Sequence, residues 1–112
     1  NAHFFDEELS EIPGVTILKR YPDVKHVFHI YVVRAENRDE LQKYLIENNI
    51  DAKIHYPIPM HLQPAAKNLG YKERDFPVCE KICKSVISLP VHEFITRKQQ
   101  EYVVTKIKEF YK

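Results

Sequence analysis

The sequence predicts an α/β fold, a single two-layer α/β sandwich with helices packed on a sheet. Three observations carry that expectation. The 112 residues suit one domain, and 44% of them are apolar, enough for one core. The run His26–Arg34, HVFHIYVVR, is rich in β-branched and aromatic residues. Phe28, Ile30 and Val32 fall on one of its faces, and Val27, His29, Tyr31 and Val33 on the other, which reads as a central strand covered on both sides. Finally, the stretches 38–48, 77–87 and 96–111 each gather apolar residues on one helical face, ready to pack on that strand.

The elements follow in order. Ala2, Phe5, Leu9 and Ile12 recur at helical spacing, so a helix covers 2–10 and Pro13-Gly14 breaks it. Val15–Leu18 reads as a short strand, and 19–25, with Pro22, as a loop. After the central strand, Asn37 stands as an N-cap with Glu40 three residues on, close to a capping box. Leu41, Tyr44 and Leu45 form the buried stripe of that helix. Asn48-Asn49 ends it, because asparagine tolerates the left-handed conformation. Ile50–Ile54 reads as a strand, and Leu62–Leu69 as a short helix stopped by Gly70. Pro77 suits a first helical turn. Val78, Ile82 and Val86 then recur every four residues, so a helix runs to about Val86, with an extended piece at Ile87–Leu89. Thr96 and Gln99 make a capping box for the last helix, whose inner face is Val103, Ile107, Phe110 and Tyr111.

Composition excludes several function classes. The net charge is +1 with acids and bases interspersed, unlike the basic stripe of a nucleic-acid platform. No apolar run approaches the ~20 residues of a membrane-spanning helix. Gly14 and Gly70 are the only glycines, so a glycine-rich phosphate loop is absent. Cys79 and Cys83 stand four apart in a helical pattern, with β-carbons ~5–6 Å apart where a disulfide wants ~3.8 Å. No bridge is expected, and the pair reads as small core residues beside Ile82 rather than catalytic thiols. His26 and His29, three apart in a strand, point to opposite faces and share no metal. His55 and His61 can meet across a loop, but no third ligand is signalled, so no metal site is expected.

The segment His55–Ala65, HYPIPMHLQPA, is the candidate site. Its three prolines fix φ and restrict the residues before them, giving a stiff, irregular loop directly after a strand. At its mouth stand His55 and Tyr56. One combines donor, acceptor and charge near neutral pH, and the other a hydroxyl with a flat apolar face. The pair suits binding of a polar ligand. The competing reading packs Tyr56 inward and spends His55 on a nearby backbone carbonyl.

These residues resemble a known family. The stretch from His26 to Pro90, with IHYPIPMHLQPA, LGY at Leu69–Tyr71 and FPVCEKICKSVISLP in that order, is similar to the carboxy-terminal small domain of the DegT/DnrJ/EryC1/StrS sugar aminotransferases. Residues 1–15 resemble the helix and turn that enter this domain, so the resemblance covers essentially the whole chain. It implies the small domain of a fold-type-I transferase, similar to aspartate aminotransferase. A large domain binds pyridoxal 5'-phosphate, and the small domain closes beside it. It also implies glutamate as amino donor, a nucleotide-linked keto sugar as acceptor, a homodimeric parent and a cytoplasmic location.

The departures are concrete. The segments supplying the Schiff-base lysine and the acid that pairs with the pyridine nitrogen have no counterpart here. The proline usual after SLP is also missing, since Val91-His92-Glu93-Phe94 follows. The expectation is therefore that residues 1–112 form one domain of a longer enzyme, which accords with an opening Asn1 rather than Met. Alone it should be inactive and hold no cofactor. His55 and Tyr56 should shape the substrate side of the cleft, and an apolar patch should lie bare where the large domain docks. The alternative is a stand-alone α/β module that binds a ligand or partner without catalysis.

Overall fold

In the computed structural model, which describes residues 1–112, β2 (Tyr31–Ala35) is the middle of a three-stranded antiparallel sheet. It pairs on one side with β1 (Val15–Ile17) and on the other with β3 (Val86–Leu89). Val15 faces Ala35, and Tyr31 faces Leu89. Strand alternation turns Tyr31, Val33 and Ala35 into the core and leaves Val32 and Arg34 half-buried on the opposite face.

The central position matches the sequence reading, but the length and the double covering do not. His26–Ile30 is irregular and mostly exposed. Phe28 adopts a left-handed φ of 51°, and its N–H donates to His26 Nδ1 rather than to a ladder. β1 is three residues long, so no partner strand reaches that far. Apolar alternation alone does not make a strand where the neighbouring strand has ended.

Three helices cover the core face of the sheet. α1 (Ala2–Ser10) buries Ala2, Phe5 and Leu9. α2 (Arg38–Glu47) buries Leu41 and Leu45, and α4 (Arg97–Phe110) buries Val103, Val104 and Ile107. With Ile50, Ala52, Ile87 and Leu89 these side chains form one continuous core. α4 carries the expected capping box: Thr96 Oγ1 accepts from Gln99 N–H, and the Gln99 side chain accepts from Thr96 N–H. α2 does not. Asn37 is left-handed, with φ 48°, and its side chain caps nothing. Asp39 and Glu40 in the first turn complement the helix dipole instead. At the other end Asn49 takes the left-handed turn, with φ 60°, as expected.

Gly14 is fixed by geometry on two counts. Its φ is 88°, and a β-carbon there would lie 2.7 Å from a ring carbon of Tyr111. The Tyr111 hydroxyl donates to Glu36 O at 2.6 Å, closing the α4 end over the β1–β2 side of the sheet. Burial pushes that hydroxyl's pKa up to about 12.

Three expected elements change. α3 (Pro77–Cys83) ends before Val86, which already belongs to β3. No residue of α3 is buried, and Val78 is 71% exposed, so this helix does not pack on the sheet. The four-residue spacing of Val78, Ile82 and Val86 runs across a helix–strand boundary and does not trace one face. Ile50–Ile54 contributes a single bridge, in which Lys53 and Ser88 exchange both backbone hydrogen bonds at 3.0 and 2.7 Å. Ile50 and Ala52 drop into the core instead of extending the sheet. Leu62–Leu69 is two 3-10 turns, Met60–Leu62 and Pro64–Leu69, because Pro64 has no N–H to continue one ladder. Gly70, with φ 76°, ends the second turn as expected.

One buried charge joins the layers. Arg38, at the start of α2, donates from Nη1 to Cys83 O at 2.9 Å and to Val86 O at 2.8 Å, and from Nε to Asp39 Oδ1 at 2.6 Å. It thereby ties α2 to the α3–β3 junction.

Candidate functional site

β3 gives the site its floor. Ile87 and Leu89 point into the core, so alternation turns Ser88 to the helix-free face of the sheet. Lys53 pairs with Ser88 through its backbone, and the chain then rises as an arch over residues 54–62. Two residues past the bridge, His55 Nδ1 lies 2.9 Å from Ser88 Oγ. His55 is half-buried, and its Nε2 makes no hydrogen bond within the chain. Tyr56 stands edge-on to the His55 ring, centroids 5.8 Å apart, and is 68% exposed. Pro59 is buried and anchors the middle of the arch. Gln63 Nε2 donates to Ile58 O at 3.2 Å and braces the crest.

The two candidate residues are thus adjacent but differently held. Tyr56 does not pack inward, and His55 meets a serine hydroxyl rather than a carbonyl. Ser88 was missed by sequence reasoning. Its signal was a single hydroxyl at an alternate position of the apolar run Val86–Leu89.

The other candidates disperse. His55 lies on Ser88 and His61 on Glu80, so they do not meet. His26 serves the Phe28 N–H. No three His, Cys, Asp or Glu side chains converge on a metal position. Cys79 is exposed, not a core residue, and both thiols are free. Burial and the neighbouring Cys79 push the Cys83 thiol up, away from the nucleophilic thiolate. Together with Phe76, Val78 and Ile82 the cysteines line an open apolar concavity along α3. No helix is long and apolar enough to cross a membrane.

The chain's lysines do not fit a pyridoxal-phosphate seat. A Schiff-base lysine is desolvated in a cleft. Every lysine here is exposed except Lys106, which is held by Glu109 at 2.7 Å.

Comparison with known proteins adds an independent line. A profile described as the DegT/DnrJ/EryC1/StrS aminotransferase family matches residues 1–108. The "Pleiotropic regulatory protein" of Geobacillus stearothermophilus is 51% identical over 87 residues, 78% of this chain and 23% of that protein. The dTDP-3-amino-3,4,6-trideoxy-alpha-D-glucose transaminase of Streptomyces venezuelae is 35% identical over 102 residues, 91% of this chain and 27% of that protein. Among solved structures, the crystal structure of S. venezuelae DesV in complex with a ketimine intermediate superposes with a TM-score of 0.94 at 33% identity. It covers 99% of this chain and 30% of that one. The chain therefore spans well under a third of the curated relatives named here, 23% and 27% of their lengths.

Proposed function

The chain belongs to the DegT/DnrJ/EryC1/StrS aminotransferase family, and on that premise we propose that it is the carboxy-terminal small domain of a nucleotide-sugar aminotransferase. In this reading the complete enzyme moves an amino group from glutamate to a nucleotide-linked keto sugar and works as a cytoplasmic homodimer. Its large domain, outside this chain, holds the cofactor. Pyridoxal phosphate supplies the carrier for the amino group there. The present chain shapes the sugar side of the cleft. The reading is supported by the family match across residues 1–108, by relatives named as sugar transaminases and by the small share of their length that the chain spans. The apolar outer side of α3 is then surface that the rest of the enzyme covers.

One observation carries the site assignment. Ser88 holds the Nδ1 side of His55, which leaves Nε2 and the Tyr56 hydroxyl turned away from the core. Both are donors suited to an oxygen-rich sugar or diphosphate. The arch is stiff before the ligand arrives, so little ordering entropy is lost on binding.

His55→Asn and Tyr56→Phe, made separately in the complete enzyme, are each expected to cost about 1.5–3 kcal/mol in kcat/KM for the nucleotide sugar, with much smaller changes in melting temperature. Unchanged kinetics with a lowered melting temperature would make the pair structural. A second measurement concerns the chain by itself. Incubated with pyridoxal phosphate and reduced with borohydride, it should show only scattered surface adducts by mass analysis. One stoichiometrically modified lysine would place a cofactor seat in this chain and overturn the division of labour proposed here.

A further inference from the structure

The far end of the arch has its own fastening. His61 is drawn between the 3-10 turns and α3, with its side chain 7% exposed, and Nε2 lies 2.9 Å from Oε1 of Glu80, itself 15% exposed. Phe76 and Tyr71 stand edge-on to the imidazole at 4.8 and 6.5 Å between centroids. The same carboxylate collects backbone donors. Arg74 N–H reaches both oxygens, at 2.9 and 3.1 Å, and Phe76 N–H reaches Oε1 at 3.4 Å. Arg74 has a φ of 74°, a conformation costly for any residue with a side chain, and the two-oxygen grip on its N–H holds it there. One side chain in the first turn of α3 thus gathers residues 61, 74 and 76.

The chemistry makes this a fastening. Partial burial works to raise the Glu80 pKa, but the Arg74 N–H, the His61 ring and the Phe76 N–H outweigh it and hold the carboxyl below its usual range. Imidazole can donate from Nε2 to a carboxylate both as the cation and as one neutral tautomer. Glu73, Arg74 and Lys84 line one concavity together with Glu80 and with Pro57 and Pro59 of the arch, so the arch borders the fastening.

We infer that the His61–Glu80 pair is a positioning clasp for Tyr56, setting the height at which the arch presents it to the substrate. The inference rests on the reading of the arch as a substrate surface. The near end is fixed on Ser88 and the far end on Glu80. Between them the prolines transmit any displacement of one end to the other. Tyr56 itself is exposed and without a hydrogen bond, and apart from its edge-on contact with His55 it is held only through the arch.

The test uses the complete enzyme with Glu80→Ala, Glu80→Gln and, in parallel, Tyr56→Phe. It reads KM for the nucleotide-linked keto sugar, the rate of the half-reaction with glutamate and hydrogen exchange across residues 56–62. Glu80→Ala should raise KM about tenfold, leave the glutamate half-reaction unchanged and speed exchange in the arch. Glu80→Gln, whose amide oxygen still accepts from Arg74 and His61, should recover most of the loss. A carboxyl with a lowered folded pKa contributes stability above its unfolded pKa and loses it as pH falls through the folded one. Exchange in the wild-type arch should therefore rise only below the ordinary carboxylate range, and Glu80→Gln should lack that rise. If Glu80→Ala loosens the arch without moving KM while Tyr56→Phe raises KM, the clasp is refuted and the substrate surface stands. If neither variant moves KM, both fall. Should Glu80→Ala fail to fold, His61→Gln replaces it with the same outcomes.

Discussion

Phe5→Ala is expected to destabilise the chain by about 3–5 kcal/mol, a large share of the roughly 5–15 kcal/mol that holds a domain together. Phe5 is fully buried and lies 5.2 Å, centroid to centroid, from the equally buried Tyr31 at the centre of the sheet. Removing the ring leaves a void between α1 and β2 that neither can close. Tyr31 is pinned by its hydroxyl, which donates to Asp6 Oδ1 at 2.7 Å, and Asp6 is gripped in turn by Arg20 at 3.0 and 3.3 Å. Chemical denaturation of Phe5→Ala beside Phe94→Ala makes the comparison. Phe94 is 79% exposed, and its truncation should stay within about 0.5 kcal/mol of wild type. Equal midpoints for the two variants would mean that α1 is not docked.

Arg38→Met should cost about 3 kcal/mol, because the apolar stem stays packed while two carbonyls lose their charged donor. Those carbonyls, Cys83 O and Val86 O, flank the turn from α3 into β3. The loss should therefore be local before it is global. Hydrogen exchange should accelerate across residues 83–88 while α4 keeps its protection. Arg38→Lys should recover only part, since one ammonium does not reproduce the planar guanidinium. Uniform acceleration through α4 would contradict the local tie. Ser88 lies two residues beyond Val86, so the same variant should also disturb the floor under His55.

Much of this was legible along the chain. The stripes of α1 and α4, the Thr96/Gln99 box and the stops at Asn49 and Gly70 are decided by neighbours three or four residues away. Those are distances a sequence pattern records. What could not be read depended on remote partners. His26–Ile30 alternates like a strand and has no strand beside it. Val86 continues a helical spacing yet belongs to β3, because Arg34 on β2 claims its backbone position. At the site, the proline-rich arch and its His-Tyr mouth were visible as a stiff segment. The residues that hold them, Ser88 and Glu80, come from 33 and 19 positions further along, from His55 and His61 respectively. A lone serine in an apolar strand carries only the faint message that something polar must face it.

The bridge at Lys53 also settles how the sheet can be extended. An open sheet invites a second molecule to pair along a free edge. The outer edge of β3 has few free groups to offer. Ser88 gives both of its backbone bonds to Lys53, Val86 O is taken by Arg38, and Pro90 has no N–H. The opposite edge, β1, is three residues long and bounded by Pro13-Gly14. Strand addition is thus hindered at one side and starved at the other. Side-chain contacts between copies are therefore favoured over growth of a continuous ribbon.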